Sequence, residues 1–174
     1  MRDERHVGGE SRPHHRCVVG HRQGHCSGPR GRGSQGSRRS PPRRPADTLV
    51  DKAPSEMLAL GLDVTDQASA RAAVAKTVEH FGALDILVNN VGVMLAGPIE
   101  GADTAEWARM VETNLLGSMF MVHAALPYLL ERRGTVVQVS STSGRIASVG
   151  NAVYSATKFG VTAFAESLRQ EVTA

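Results

Sequence analysis

The hydrophobic positions in the second part of this chain follow two different periods. Continuous apolar runs of strand length predict buried β-strands at 57–63, 85–89 and 134–140. Apolar residues at helical spacing predict helices at about 67–81, 103–131 and 152–172. Strands that alternate with helices in this way indicate a parallel sheet with helices packed on its faces.

Local signals at the helix ends support this pattern. Thr65 or Asp66 can cap the first helix, and Gly82 can stop it. Asp103 is placed to begin the second helix, for which we expect an interruption near 114–117.

The first 45 residues follow neither period. Their aliphatic residues are three valines, so they cannot form a core and are predicted to be disordered. They hold eleven arginines and three acidic residues, a net charge of +8, whereas residues 46–174 hold nine basic and fourteen acidic residues, a net charge of −5. This break predicts two segments, 1–45 and 46–174, with a boundary near Ala46.

The basic segment has three possible explanations. It could contact nucleic acid phosphates, but it lacks aromatic residues for base stacking, so this reading is not favoured. Its histidines and cysteines match no zinc pattern, so no metal site is predicted.

When the bases of residues 12–22 are read one position forward, they permit V-L-I-T-G-A-S-S-G-I-G, an apolar strand with a glycine-rich turn. We hypothesise that a frameshift has altered the first strand–helix–strand unit; codons that do not permit the shifted reading would refute this.

Candidate chemistry lies near the end of the chain. Tyr154 and Lys158 are four residues apart, so they lie on one helical face, where an ammonium group beside the phenol favours acid–base chemistry. Ser141 lies thirteen residues upstream and could hold a reacting oxygen. The spacing alone is more typical of a solvated helix surface, but its surroundings favour chemistry, because Asp63, Asn90 and Ser141 fall at the predicted carboxyl ends of strands, where ligands of parallel sheets bind.

Five short motifs, in order, carry a resemblance to a known family. They are L-D-V-T-D at 62–66, N-N-V-G at 89–92, Asn114 within V-E-T-N-L, V-S-S at 139–141 and Y-S-A-T-K at 154–158. From Met57 onward the chain closely resembles the classical branch of the short-chain dehydrogenase/reductase family. The resemblance implies an α/β fold, an incomplete Rossmann-like doubly wound parallel sheet, preceded here by the basic tail.

The resemblance also implies roles for the catalytic residues. Tyr154 would exchange a proton with the substrate oxygen, and Lys158 would make that hydroxyl more acidic and hold the nicotinamide ribose. Ser141 would orient the carbonyl or alcohol, with Ser140 as the competing candidate for this role. Asn114 would anchor a water chain that passes protons to Lys158.

The remaining implied roles concern the cofactor and the partners. Asp63 would contact adenine, and Asn90 with Gly92 would line the adenosine ribose; the alternatives are a helix-start acid and a turn residue. The cofactor would be NADP or NAD, with NADP preferred, because the shifted frame supplies arginines suited to a 2′-phosphate. The substrate would be a small alcohol or ketone.

Other expectations follow from composition and from the resemblance. Two cysteines, both in the basic segment, fit a reducing cytoplasm, and no apolar run approaches membrane-spanning length. Copies of the chain could pair through the helices at 103–131 and 152–172.

Two departures from the family pattern change what we expect of the chain. The printed frame lacks a glycine-rich turn for pyrophosphate, and the chain stops before the strand expected to follow its last helix. We therefore expect weak cofactor binding, little turnover, exposed strand edges that promote association, and no pairing between the strands at 57–63 and 85–89.

Overall fold

The computed structural model describes residues 57–173, so the basic tail and the boundary predicted near Ala46 lie outside the described residues. The elements, in order, are α1 (Gln67–Phe81), β1 (Ile86–Asn89), α2 (Thr104–Met110), a π-helical segment (Val111–Leu116), α3 (Gly117–Arg132), β2 (Thr135–Gln138), a 3-10 turn (Thr142–Gly144) and α4 (Ala152–Thr173).

Both ends of α1 are set by the residues that the sequence singles out. The Asp66 side chain accepts a hydrogen bond from the Ala68 amide at 2.8 Å and so caps the first turn. At the other end, Gly82 has φ 77° and donates its amide to the Val78 carbonyl at 2.8 Å. The predicted start and stop of this helix are confirmed.

The second helical region begins as predicted, at an Asp103 cap that accepts from the Ala105 amide at 2.9 Å. The interruption expected near 114–117 is a π-helical turn, Val111–Leu116, which joins α2 to α3 without a break. Contrary to the expectation that no run approaches membrane-spanning length, this helical run is long and apolar enough to cross a membrane, although a core helix has the same features. Because α3 buries Met121, Val122 and Leu129, we describe it as a core helix.

The described sheet has two parallel strands, which confirms the predicted α/β class with a small parallel sheet. β1 and β2 pair in register, with Val88 opposite Val137 and Asn89 opposite Gln138. Leu87 lies on the buried face, in a core shared with α1 and α3. The side chains of Val88 and Val137 are 46% and 44% exposed, so the opposite face of the sheet is apolar and open.

The strand predicted at 57–63 is wrong: this segment forms no regular secondary structure. One of its residues, Leu62, is buried in the core, and Leu60 packs against the core while partly exposed. A strand needs a neighbouring strand for its backbone hydrogen bonds, and among the described residues β1 pairs only with β2. The apolar run thus predicted the burial of Leu62, while the strand conformation depended on a neighbour that the described residues lack.

The turn from α3 into β2 packs very closely against the start of β1. Arg133 caps α3 with φ 51°, a left-handed conformation that costs a non-glycine residue energy. The next residue, Gly134, donates to the Leu129 carbonyl at 2.8 Å. A Cβ atom on Gly134 would lie 2.5 Å from the Asp85 carbonyl oxygen, so this contact requires glycine.

Candidate active site

Lys158 lies at the centre of the candidate site, on α4. Its side chain is only 4% exposed. Its Nζ donates to two carbonyl oxygens, that of Val91 at 3.4 Å and that of Val139 at 3.3 Å. Val91 follows β1 and Val139 follows β2, so the lysine links the carboxyl ends of the two strands.

The electrostatic setting of Lys158 is unusual for a lysine. Among residues 57–173, no carboxylate forms an ion pair with its ammonium group. Burial removes hydration that stabilises the charged form, and this lowers the pKa of Lys158 below its ordinary value. The two carbonyl dipoles compensate this loss in part, at the long end of hydrogen-bond distances.

Tyr154 lies one turn before Lys158 on the same face of α4, as its spacing predicts. The lysine Nζ is 5.9 Å from the centroid of the tyrosine ring, within the range of cation–π attraction. The Tyr154 carbonyl accepts a hydrogen bond from Thr157 Oγ1 at 2.7 Å. The structure therefore places the ammonium beside the aromatic ring.

Asn114 is fully buried in the π-helical segment. Its Oδ1 accepts from the Val93 amide at 2.7 Å, and its Nδ2 donates to the Val93 carbonyl at 2.8 Å and to Thr157 Oγ1 at 3.1 Å. The side chain thus joins the loop after β1 to the helix that carries Tyr154 and Lys158.

Gly92 lies next to both Lys158 and Asn114. A Cβ atom placed on it would lie 3.3 Å from Lys158 Nζ and 3.4 Å from Asn114 Oδ1, tighter than ordinary contacts. Gly92, Asn114 and Lys158, which the sequence places far apart, are therefore brought together around the lysine ammonium. The absence of a side chain at position 92 keeps this approach open.

The two candidate serines have different surroundings. The Ser140 hydroxyl lies 3.2 Å from the Lys158 carbonyl oxygen and 2.9 Å from Thr162 Oγ1, and so contacts α4. The Ser141 hydroxyl accepts from the Ser143 amide at 3.2 Å and caps the 3-10 turn. Its own proton is not donated to any described residue, so Ser141 has a donor left for a ligand.

Asp63 and Asn90 lie outside the group formed by Gly92, Asn114 and Lys158. The Asp63 carboxylate accepts from the amide and hydroxyl of Thr65, at 2.9 Å and 2.7 Å, in the turn that leads into α1. Asn90 is exposed directly after β1. Their predicted contacts with a cofactor stay predictions.

Sequence reasoning missed several groups that hold the site. Thr157 links Asn114 to Tyr154, and a threonine three residues after a tyrosine on a helix is a weak signal that is easily overlooked. The carbonyl oxygens of Val91 and Val139 are backbone atoms, which no residue motif identifies. No cluster of three potential metal-ligating side chains occurs within the described part of the chain.

With this geometry established, the chain was compared with known proteins. A family model described as "short chain dehydrogenase" matches residues 36–174, which include part of the basic segment. Trans-4-hydroxycyclohexanecarboxylate dehydrogenase from Sinomonas cyclohexanicum is 43% identical over 100 residues, which are 58% of this chain and 39% of that protein. 3-Ketodihydrosphingosine reductase from Bacteroides thetaiotaomicron is 36% identical over 131 residues, 75% of this chain and 47% of that protein.

Two solved structures also resemble this chain, at sequence identities similar to that of the second relative. The apo form of LigO from Sphingobium sp. strain SYK-6 superposes with a TM-score of 0.69 at 32% identity, over 73% of this chain and 48% of that one. The structure of ElxO with NADP bound superposes with a TM-score of 0.65 at 31% identity, over 67% and 48%. The chain therefore spans less than half the length of each of these relatives.

Proposed function

The chain belongs to the short-chain dehydrogenase family, and on this basis we propose that it is the catalytic part of an NAD(P)-dependent oxidoreductase that interconverts an alcohol and a ketone. The observation that carries this proposal is the grouping of Gly92, Asn114 and Tyr154 around the buried ammonium of Lys158. A surface lysine on an amphipathic helix would be solvated instead.

The residues divide the chemistry between them. In the reducing direction, the Tyr154 hydroxyl donates its proton to the oxygen of the reacting carbonyl, and the Lys158 ammonium favours the phenolate that is left. Ser141 donates a hydrogen bond from its free hydroxyl to the same oxygen and orients it, while keeping its proton. When bound, the nicotinamide supplies the hydride to the carbonyl carbon, so that hydride and proton together convert the ketone to the alcohol.

The residues present fit a nicotinamide cofactor on the side of Gly92. Because position 92 carries no side chain, Lys158 Nζ and Asn114 Oδ1 can approach the backbone there closely, and Nζ is the group that would hold the ribose. Asp63 would contact adenine, and Asn90 would lie along the adenosine ribose. NADP is preferred to NAD; the relative strength of binding of NADPH and NADH, measured by calorimetry, tests this, and tighter binding of NADH would contradict it.

The substrate class rests on the family and on what relatives are named for. One relative is named for dehydrogenating a hydroxycyclohexanecarboxylate and another for reducing a keto group. We propose a small alcohol or ketone for this chain and a cytoplasmic location, which cell fractionation with an antibody against residues 57–173 tests.

A Tyr154→Phe substitution tests the proposed activity. The variant removes the proton donor but keeps the ring, so reduction of a panel of cyclic and open-chain ketones with NADPH should fall about 10²- to 10⁴-fold. Tyr128→Phe is the matched control, because Tyr128 is the only other tyrosine and packs against the core on α3. Undiminished turnover of Tyr154→Phe would contradict the proposed role.

The composition of residues 1–45 supports a second reading, an inert product of a damaged gene. Under this reading the printed chain has no activity, and the protein expressed from the gene with its first frame restored gains turnover that Tyr154→Phe abolishes. Equal activity of the two proteins would exclude it. Salt-sensitive DNA retention that is lost when residues 1–45 are deleted would instead favour the nucleic-acid reading, which we consider the weakest.

We also propose that two copies pair through the long helices. Val111, Leu116 and Phe159 are large apolar side chains that lie exposed on the π-helical segment and on α4. Phe159→Glu should abolish pairing in sedimentation velocity experiments, because a charge in an apolar interface is costly. A Leu130→Glu control changes an exposed residue at the end of α3. An unchanged sedimentation coefficient for Phe159→Glu would refute this interface.

A further inference from the structure

Three polar side chains form a hydrogen-bonded cluster at the ends of the two strands, which we call the Asn89 cluster: the buried Asn89 and Ser118 and the half-buried Gln138. Asn89 is 2% exposed, and its Nδ2 donates to Gln138 Oε1 at 3.0 Å, to the Ser118 carbonyl at 2.9 Å and to Ser118 Oγ at 3.1 Å. Gln138 Nε2 donates in turn to Ser118 Oγ. One side chain from each of β1, β2 and α3 is thus tied to the other two.

The cluster lies directly before the groups that hold Lys158. Asn89 and Gln138 are the last residues of β1 and β2 and are paired in register. The Asn89 carbonyl accepts a hydrogen bond from the Val139 amide at 3.1 Å. Just beyond the strand ends, the carbonyls of Val91 and Val139 accept from Lys158 Nζ. The separation of those two oxygens therefore depends on how the strand ends are held.

Through Ser118, the Asn89 cluster is also connected to the helical segment that carries Asn114. Ser118 lies one helical turn after Asn114, at the start of α3. Its hydroxyl and carbonyl bind Asn89, so the position of β1 is fixed relative to the helical segment that carries Asn114. The same three side chains thereby set both the lysine and the asparagine of the candidate site.

The cost of leaving buried polar groups unpaired favours one hydrogen-bonded arrangement of the Asn89 cluster. A buried polar group that loses its partner costs about 1–3 kcal/mol. Asn89 Oδ1 is already buried without a hydrogen-bond partner among the described residues, so the Nδ2 bonds are what compensates the burial of this amide. Replacement of Gln138 by an apolar residue removes an acceptor of Asn89 Nδ2, whereas Ser118→Ala removes the acceptor of Gln138 Nε2 and leaves the Ser118 carbonyl bound to Asn89. In either variant one polar group of the cluster loses a partner, and it regains a hydrogen bond only if the strand ends move or admit water.

We propose that Ser118 and Gln138 are positioning residues, which hold the ends of β1 and β2 at the separation that lets the carbonyls of Val91 and Val139 bind the Lys158 ammonium. The inference rests on the proposed function for its meaning, because it assigns residues that prepare the same site. The proposal concerns the geometry around Lys158, however, so it can be tested by titrating the lysine without measuring enzymatic turnover.

The ionisation of Lys158 reports this geometry directly. Within residues 57–173, the groups on Nζ are the two carbonyls, from the segments after β1 and β2, and the ring of Tyr154 on its own helix; no acidic side chain faces it in an ion pair. If the strand ends separate, water reaches the ammonium and its hydration is restored. Water then replaces two carbonyl contacts at the long end of hydrogen-bond distances, and because hydration stabilises the charged form more than these contacts do, we expect the pKa of Lys158, which burial lowers, to move upward.

The experiment uses the full chain with isotope-labelled lysine and NMR titration. The chain has only three lysines, Lys52, Lys76 and Lys158, and Lys158→Met identifies the third signal by its loss. The titration is compared between wild type, Ser118→Ala and Gln138→Leu. Val74→Ala is the control, because it makes a cavity in the α1 part of the core and changes no member of the Asn89 cluster.

We expect the midpoint of the Lys158 signal to move upward in Ser118→Ala and in Gln138→Leu, and to stay at the wild-type position in Val74→Ala although that variant melts at a lower temperature. If both cluster variants melt lower with an unchanged midpoint, the cluster is merely structural and the proposal is wrong. If Gln138→Leu does not fold, Ser118→Ala and the milder Gln138→Asn decide by the same criterion. A turnover that survives Tyr154→Phe would contradict the proposed function and leave this result unaffected.

Discussion

Lys158 combines a buried position with a charged group, and folding is linked to its ionisation. Because the pKa is lowered in the folded chain, the unfolded chain binds more protons at pH values between the lowered pKa and the ordinary lysine value of about 10.4. The free energy of unfolding therefore rises as the pH increases through this window. Below it, the full penalty of burying the charge is present.

Lys158→Met removes this linkage while it keeps an unbranched side chain of similar length. We expect the free energy of unfolding of wild type, relative to this variant, to rise with pH in the window that ends at the ordinary lysine pKa of about 10.4, as measured by urea denaturation. Lys76→Met, which removes an exposed lysine from α1, is the control and should follow wild type. A difference between wild type and Lys158→Met that is flat or falls with pH would contradict the linkage.

Gly92 offers a second test at single-residue scale. In Gly92→Ala the new Cβ would crowd Lys158 Nζ at 3.3 Å, and Nζ is the end of a flexible side chain that can move by a few tenths of an ångström. We expect a stability change below about 1 kcal/mol but a loss of about tenfold or more in kcat/KM in the active protein, because small displacements of a catalytic group are costly. Gly97→Ala, in the same loop with no atom within 4 Å, should change neither quantity. Equal effects of the two substitutions would contradict the crowding argument.

Sequence spacing identified the residues of the site better than their contacts. A helical repeat of four residues is local, so Tyr154 and Lys158 could be paired without any knowledge of the fold. The partners of the ammonium could not be predicted, because the carbonyls of Val91 and Val139 meet only when β1 and β2 are aligned. The different surroundings of Ser140 and Ser141 likewise depend on the distance from β2 to α4.

At the scale of an element, the start of β2 depends on Gly134. A Cβ atom 2.5 Å from the Asp85 carbonyl oxygen forces backbone rather than a flexible side chain to move. We expect Gly134→Ala to lower the free energy of unfolding by about 1–3 kcal/mol, measured by urea denaturation. Gly61→Ala, where no atom lies within 4 Å and φ is not positive, should stay within about 0.5 kcal/mol of wild type. A stability of Gly134→Ala equal to that of the control would show that the turn adapts without cost.

The helices could be predicted in type and extent because their caps are local. Asp66, Gly82 and Asp103 act on amides and carbonyls within four residues of themselves. The prediction of a strand at 57–63 was wrong for the opposite reason. An apolar run indicates that a segment is buried, but only a neighbouring strand can provide the hydrogen bonds of an extended strand. The π-helical turn was visible in the sequence only as an irregularity near Asn114, because the contacts of that side chain with Val93 and Thr157 lie in other elements.

At the scale of the whole molecule, the sheet presents an apolar face that no other described element covers completely. Val88 and Val137 are cross-strand partners on this face and are both nearly half exposed. The double substitution Val88→Thr/Val137→Thr keeps β-branched side chains that favour strands but makes the face more polar. We expect weaker concentration-dependent association in light scattering, with a stability change below about 1 kcal/mol. Leu87→Thr, on the buried face, should instead destabilise the fold, and unchanged association of the double variant would refute the role of this face.

The α/β class of the molecule could be predicted from the alternation of apolar periods alone, and the family from five motifs in order. Which strands pair could not be predicted from the sequence, because pairing depends on which segments are present to occupy the sheet. Leu62 illustrates the difference: it is buried as predicted, although its segment has no strand beside it among the described residues.

The close approaches at Gly134 and Gly144 have a consequence for natural variation of the gene. At both positions any side chain would collide with backbone, with the Asp85 carbonyl in the first case and with the Lys158 carbonyl, 2.8 Å away, in the second. Purifying selection for a folded product removes substitutions at these two codons, whereas a gene that has lost its purpose accumulates them at the neutral rate. Resequencing of the gene in related isolates would therefore distinguish a working enzyme from an inert remnant, without any assay and without knowledge of the substrate.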